Sequence, residues 1–379
     1  MRHFARLAPA RHRRLFHREP QAFTRDDDPE VLAVALGATL YAPAIRPALA
    51  ADIRRSAGRG VTSMVICLED AIADDQVPEA EANLVAQLRE AHGGGEGSRP
   101  LLFIRVRAPE QIPDMVARLG PAAEDVSGFV LPKFTGSSGA AFLDALAGTA
   151  DATGLRLYGM PVIESPEAIY LESRAETLHD ISLLLAKHRS RVLAVRLGAT
   201  DLCSAYGLRR PRELTIYDIQ PVAGLISDVV NILGRAGSGF VITGPVWEYF
   251  GRTRMPRSQF FARHDRWRGL GLDGLMREVH LDKANGLTGK TVIHPTHVAA
   301  VHALSVVTHE EYCDAADILA SFNDVGAGGV LASRYSNKMN EAKPHRAWAQ
   351  RLQLRAQVFG VAAEGVTVAD LLDAAATAA

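Results

Sequence analysis

Cysteine is scarce in this chain. Cys67, Cys203 and Cys313 lie far apart in 379 residues, with no C-x-x-C among them. That spacing excludes a disulfide-stapled mini-domain and fits free thiols in a reducing cytoplasm. Net charge is also small, with 42 Lys and Arg against 43 Asp and Glu, and a formal charge of −1. Near-neutrality argues against a dedicated nucleic-acid binder. No uninterrupted apolar run reaches the ~18 residues that a membrane span needs. No GxGxxG follows the first strand-like run and no GxxxxGK[ST] occurs, so the fingerprints of the nucleotide-binding α/β sheets are missing. Hydrophobic residues nevertheless make up 47%. A large core is possible, and a disordered chain is excluded. The length suits two domains or one large α/β barrel with extensions.

The first 25 residues hold seven arginines and a single acid, Glu19. An acid-poor, Arg-rich start is compatible with an organelle transit peptide. Serine is absent there and no apolar h-region follows, which excludes a secretory signal. The simpler reading is a basic N-terminal arm, residues 1–36, packing through Phe4, Leu7, Leu15 and Phe16.

From residue 38 one unit repeats: a short apolar run, polar or Pro/Gly residues, then a helical pattern. The runs are Ala38–Ala44, Ser63–Asp70, Pro100–Val106, Gly128–Phe134, Leu157–Ser165, Val192–Asp201, Gly239–Val246 and Gly289–Pro295. Each gap has room for a helix and two loops, as a parallel crossover requires. The runs are continuous rather than alternating, as in Met64-Val65-Ile66-Cys67-Leu68, which marks strands buried on both faces. Eight such units predict a (β/α)8 TIM barrel over residues 37–307, with a doubly wound open sheet as the alternative. The remainder, 308–379, predicts two helices (Glu310–Phe322 and Pro344–Val358) around a Gly-rich stretch. It would pack over the barrel mouth or against a neighbouring subunit.

Barrel enzymes carry their chemistry at the C-terminal ends of the strands. Those ends read Arg46, Glu69-Asp70, Arg105, Lys133, Glu164, Asp201 and His294. Charged side chains are seldom buried without partners, so a ring of acids and bases at one mouth is hard to explain by packing. Glu164 and Asp201 end adjacent strands, with no soft ligand near. Two carboxylates suit a hard divalent ion, Mg²⁺, with water and substrate completing its shell. The competing role for each is a helix cap. Arg105 and Arg46 can hold a carboxylate or neutralise an oxyanion. Mg²⁺ and arginine around a 2-oxo acid favour an enolate, the intermediate of carbon–carbon bond making and breaking. His294 and His297 flank Pro295 without a third ligand, and a backbone-bonded histidine is the expected role for His294.

These pieces resemble the HpcH/HpaI aldolase and citrate lyase beta-subunit-like superfamily, of which the chain reads as a divergent branch. The similarity runs in order through Tyr41-Ala42-Pro43-Ala44-Ile45-Arg46-Pro47, Leu68-Glu69-Asp70-Ala71-Ile72, Ile104-Arg105-Val106, Leu131-Pro132-Lys133, Pro161-Val162-Ile163-Glu164-Ser165, Leu197-Gly198-Ala199-Thr200-Asp201-Leu202 and Ile293-His294-Pro295. The resemblance implies a TIM barrel and a Mg²⁺-dependent lyase acting through a metal-bound enolate of a 2-oxo acid or an acyl-CoA related substrate. Glu164 and Asp201 would be the metal ligands. Arg105, Glu69 and Asp70 would be catalytic, and Arg46, Arg105, Lys133, Gly198 and Thr200 would bind substrate. It further implies a cytoplasmic homo-oligomer, a trimer or hexamer, whose C-terminal segment covers a neighbour's site.

The sequence also departs from that pattern. A Met-Ile-Asp in the tail of many acyl-CoA members matches Met339-Asn340-Glu341, so Glu341 stands where an aspartate is expected. Arg107 replaces an asparagine. Two arginine-rich stretches, Arg209-Arg210-Pro211-Arg212 and the six arginines of Tyr249–Arg268, follow late strands. They are expected either to bind phosphates of a substrate or of CoA, or to be solvated loops. Two further readings compete: thioester hydrolysis on the same site, and a non-catalytic barrel holding an anionic partner.

Overall fold

A strand flanked by helices on one side and a barrel interior on the other has no polar face, and the continuous apolar runs meet that requirement. In the computed structural model, which describes residues 1–92, 99–251, 272–323 and 329–378, each of the eight runs contributes one strand. They are β1 (Ala38–Pro43), β2 (Ser63–Cys67), β3 (Leu101–Arg105), β4 (Val126–Leu131), β5 (Tyr158–Ile163), β6 (Arg196–Leu197), β7 (Gly244–Trp247) and β8 (Lys290–Val292). Every residue of β2, β4 and β5 is buried.

The strands form one parallel sheet in the order β6-β5-β4-β3-β2-β1-β8-β7. A parallel bridge between Val195 and Ile242 joins its two outermost members, so the sheet is a nearly closed barrel. A helix follows each strand, from Leu49–Gly58 after β1 to Thr296–Ser305 after β8. Every strand is shorter than its run, β6, β7 and β8 most of all. The run Val192–Asp201 gives only Arg196–Leu197, because its last part winds into the helix Ala199–Ser204. The run Gly239–Val246 forms a continuous strand only from Gly244, preceded by the isolated bridge at Ile242.

The chain divides into two compact units: Leu36–Val298, which holds the barrel, and Met1–Ala35 together with Ala299–Ala379. In the second unit Phe16–Arg18 pairs antiparallel with Val361–Ala362. The helix His309–Asn323 packs on Ala342–Phe359 over a core that includes Val307, Ala315, Ile318, Leu352 and Val361. A hairpin joins Val330–Ala332 to Met339–Glu341. The N-terminal arm is thus tied to the C-terminal helices, with Leu7, Leu15 and Phe16 buried. All three cysteines are free and buried, and no described helix is long and apolar enough to cross a membrane.

One buried charge network braces the barrel where β8 begins. Lys290 is fully buried, with its Nζ 2.9 Å from Glu278 and 2.7 Å from Asp282. Glu278 also pairs with buried Arg210 and accepts the Ile216 N–H at 2.6 Å. Tyr217 donates to Asp282 at 2.8 Å, and burial pushes the Asp282 carboxyl up to about 6. Removing one member of such a network strands the others. Glu278→Ala is expected to lower stability by about 3–5 kcal/mol in urea denaturation, and a loss below about 1 kcal/mol would show that the network is not structural.

Candidate active site

The site is assembled by the hydrogen-bond ladder continuing one step beyond each strand. Leu68 N–H donates to Arg105 O at 2.9 Å, Phe134 N–H to Val162 O at 3.1 Å, and Gly198 N–H to Ile163 O at 3.1 Å. These bonds fix the residues just past β2, β4 and β6. Arg105 closes β3 in register with Cys67 on one side and Val130 on the other. Its guanidinium lies at the centre, with one nitrogen 2.5 Å from Glu69, 3.0 Å from Glu164 and 3.1 Å from Asp70. Lys133 adds an ammonium group that pairs with Glu69 and lies 3.4 Å from Asp70.

Asp201 belongs to the same electrostatic group, since its charge acts on Glu164 and Lys133. Four carboxyls therefore face two cations, and ionising all of them would leave two excess negative charges. The acids divide the difficulty unequally. Burial pushes the Glu164 carboxyl up to about 7, with Asp201 and Glu69 adding to the rise and Arg105 opposing it. Burial also raises Asp201, reinforced by Asp70. Glu69 is raised by burial and by its hydrogen bond with Asp70. Asp70 is opposed by burial, yet its bond with Glu69 and the nearby Arg105 and Lys133 hold it below the ordinary range. Arg105 is raised despite burial, because Glu164, Tyr41 and Glu69 favour its charge.

Glu164 is the most constrained of the four. Its side chain is fully buried. Oε1 accepts from Arg105 at 3.0 Å and from the Lys133 N–H at 2.9 Å, whereas buried Oε2 has no hydrogen-bond partner. A buried carboxylate oxygen without a donor is costly. The space beside it exists only because residue 198 is glycine: a Cβ there would stand 2.1 Å from Glu164 Oε2 and 2.5 Å from Glu164 Cβ. Gly198 is the residue before the helix Ala199–Ser204, and Asp201 lies in that helix's first turn. An oxygen-only donor pair, one member with an orphaned buried atom, fits a hard divalent cation. Among the described residues no group of three or more His, Cys, Asp or Glu side chains is arranged to hold a metal. The protein's own share would therefore be this pair.

The structure thus brings together Glu69, Asp70, Arg105, Lys133, Glu164, Gly198 and Asp201. It does not bring Arg46 to them. That guanidinium is half exposed and bonds to Asp52 at 2.5 Å. Thr200 is exposed in the helix that carries Asp201. Glu341 belongs to the other unit, where its N–H donates to His345 Nδ1 at 3.0 Å. Arg210, expected as part of a phosphate-binding knot, is buried and ion-paired to Glu278, so only Arg209 and Arg212 of that stretch are exposed. Of the second arginine-rich stretch, all six arginines lie outside the described residues. His294 stacks on Phe250 at 4.8 Å, and its Nδ1 accepts from the Thr296 N–H at 3.4 Å and contacts the Thr296 hydroxyl at 2.7 Å.

Two arginines matter more than the sequence suggests. Arg107 donates to the carbonyls of Leu68, Glu69 and Ile72 at 2.7–3.3 Å and pairs with Asp74 at 2.6 Å. It clamps the turn that presents Glu69 and Asp70. Arg196 is buried in β6, bonded to Thr291 and Thr39 and lying 5.5 Å from the Tyr41 ring centre. A charged residue inside an otherwise apolar strand run was the available signal for it.

A family model described as C-C bond lyase of the TIM-barrel fold matches residues 30–361. The L-malyl-CoA/beta-methylmalyl-CoA lyase of Rhodobacter capsulatus is 21% identical over 313 residues, 79% of this chain and 88% of that protein. Among solved structures, a citrate lyase from Burkholderia xenovorans LB400 aligns with a TM-score of 0.64 at 19% identity, covering 91% of this chain and 98% of its own. CitE from Mycobacterium tuberculosis, in complex with magnesium, acetoacetate and coenzyme A, aligns with a TM-score of 0.56 at 16% identity, covering 86% and 99%. These structural likenesses are of fold.

The glycine beside Glu164 gives a direct test of the packing. Gly198→Ala forces either Glu164 or the turn to move, and overpacking of this kind costs about 1–3 kcal/mol. Thermal denaturation is expected to show that loss, and a crystal structure of the variant a displaced Glu164 carboxylate. An unmoved carboxylate at full stability would mean that the close approach is not real.

Proposed function

Because the chain belongs to the C-C bond lyase family of the TIM-barrel fold, we propose that it cleaves or forms a carbon–carbon bond next to a carbonyl. The substrate would be a 2-oxo acid or an acyl-CoA related compound, and Mg²⁺ would be held by Glu164 and Asp201. The observation that carries the metal assignment is the buried, partnerless Oε2 of Glu164 next to Gly198. Magnesium and coenzyme A in the M. tuberculosis CitE complex support the choice of ion and of substrate class.

When bound, the ion would polarise the substrate carbonyl and ease the build-up of negative charge on its oxygen. The rest of the chemistry falls to the chain. Arg105, held as a cation by its acidic neighbours, stabilises the oxyanion of the enolate by charge-assisted hydrogen bonding. In the cleavage direction a base must take the hydroxyl proton as the bond breaks. Asp70 is half exposed and ionised more readily than a free aspartate, which suits that role. The electron pair of the broken bond becomes the enolate, and an acid must return a proton to carbon. Glu69, whose carboxyl is shifted upward by burial and by its bond with Asp70, is the acid assigned to that step. Condensation runs the same transfers in reverse. Lys133 takes the carboxylate of the substrate near the rim, and Gly198 and Thr200 line the turn beside it. The reading also takes Glu341 as an acid–base group lent to a second copy's site within a homo-oligomer, in a cytoplasmic enzyme.

Two outcomes follow. Asp201→Ala should abolish Mg²⁺ uptake in calorimetry while circular dichroism stays native; unchanged uptake would sink the ligand assignment. In the wild type the sign of the pH dependence is set by Glu164. Its carboxyl is raised to about 7 in the metal-free protein, so below that value Mg²⁺ must displace a proton. Affinity should weaken toward acid by up to about tenfold per pH unit, with proton release in buffers of different ionisation enthalpy. Without metal the same raised value stabilises the fold at low pH and loses that contribution as pH rises through 7.

Arg105→Gln should lower kcat by about 10²–10³-fold, the usual cost of a lost oxyanion donor. Arg105→Lys should recover little, because an ammonium group is a poor substitute for a planar fork. Full activity in either variant would remove Arg105 from the mechanism.

A further inference from the structure

Lys133 stands out for its backbone rather than its charge. Three described residues other than glycine have a positive φ: Phe4, Lys133 and Ser336. Lys133, at φ +46, is the one within the barrel unit. A side chain bearing Cβ is disfavoured in this left-handed region. Such a conformation persists when the surroundings over-determine it, and it concentrates at functional sites.

Here three bonds hold it. Lys133 N–H donates to Glu164 Oε1 at 2.9 Å. Ser138 Oγ, from the capping box of the helix Gly136–Thr153, donates to Lys133 O at 3.2 Å. The next amide, Phe134 N–H, is fixed on Val162 O at 3.1 Å. The peptide groups on both sides of the lysine are therefore anchored, one to β5 and one to the carboxylate just past its end. Both donors to Glu164, this amide and Arg105, act on Oε1 and leave Oε2 bare. A relaxed, extended Lys133 would turn its N–H away from Glu164 and leave the carboxylate free to rotate on a single arginine contact.

We propose that Lys133 is a positioning residue whose left-handed backbone, rather than its ammonium group, aims the free oxygen of Glu164 at the metal position. This rests on the reading of Glu164 as a Mg²⁺ ligand. The ammonium group has a separate task, pairing with Glu69 and Asp70. One residue at the end of β4 thus serves the acid–base pair through its side chain and the metal ligand through its main chain.

Substitutions separate the two roles, because Lys133→Gly, Lys133→Asn, Lys133→Ala and Lys133→Val all delete the ammonium group. Glycine and asparagine accept the left-handed conformation, while alanine and above all valine resist it. Mg²⁺ titrated into the purified full-length variants by calorimetry should bind the Gly and Asn forms at least as tightly as wild type, since a nearby cation has been removed. The Val form should bind about 10–100-fold more weakly, the usual cost of losing a group that orients a metal ligand, with Ala between. If the Val form does not fold, the Ala and Gly pair makes the comparison. A Val (or Ala) form as tight as Asn overturns the proposal, and so does an equal loss in all four, which would assign the effect to the ammonium group. If wild type takes up no Mg²⁺, the metal reading fails by itself. Crystal structures of the Gly and Val forms then decide the positioning role: a Glu164 carboxylate oriented identically in both overturns it.

Discussion

The carboxylate excess around Arg105 is the constraint on which the rest of the site depends. Glu69, Asp70 and Glu164 all approach one guanidinium nitrogen within 3.1 Å, and Asp201 adds a fourth acid to the group. A single arginine and a half-exposed lysine cannot neutralise four ionised carboxyls. In the metal-free protein burial shifts Glu69, Glu164 and Asp201 toward the protonated form, while Glu69, Arg105 and Lys133 hold Asp70 toward the ionised one against its own burial. A divalent cation held by Glu164 and Asp201, as proposed, would relieve the charge imbalance with those two acids ionised. The two states would then differ by protons released, and metal uptake and acidity would be one equilibrium seen from two sides.

That imbalance exists because the fold forces the groups together. The acids and bases stand at the ends of five neighbouring strands, from Arg105, which closes β3, to Asp201, four residues beyond β6, and the parallel ladder holds those ends side by side. Reinforcement comes from outside the cluster. Arg107 grips three carbonyls of the turn bearing Glu69 and Asp70, and Gly198 makes room for Glu164 by lacking a side chain. Neither residue carries charge to a substrate. Both decide whether the residues that do so are in place.

Much of this was legible in the sequence, for a physical reason. Strands buried on both faces, such as Met64–Leu68, must be apolar throughout, so a charged residue at the end of such a run marks the point where the chain leaves the core. That rule located Glu69, Arg105, Lys133 and Glu164. It overran at Asp201, because an apolar Leu-Gly-Ala continues equally well as a strand or as the first turn of a helix. It also failed where partners are distant in sequence. Arg210 looks like a free cation until Glu278, 68 residues on, is seen to meet it. Arg46 looks aimed at the mouth until Asp52 claims it. Likewise, nothing local in the arm marks Phe16–Arg18 as the partner of Val361–Ala362, because a two-strand pairing across the whole chain leaves no period to read.

The barrel contains two clusters of buried charge, and the contrast between them argues for function. Near the start of β8, Lys290 and Arg210 face Glu278 and Asp282, all four all but fully buried, and Arg210 also lies 3.6 Å from the half-buried Glu248. Tyr217 and the Ile216 N–H supply further hydrogen bonds. Each buried cation in that set meets a buried carboxylate within 2.9 Å, which is what structural charge needs in a low-dielectric interior. Beyond the other ends of the strands the count does not balance. Glu164 keeps an oxygen without a partner, Lys133 holds a disfavoured backbone, and Asp70 and Lys133 remain open to solvent. Stability alone would have selected against each of these features. The proposed function, in which the site would accept a cation and an anionic substrate and hold negative charge as it develops, would account for that imbalance.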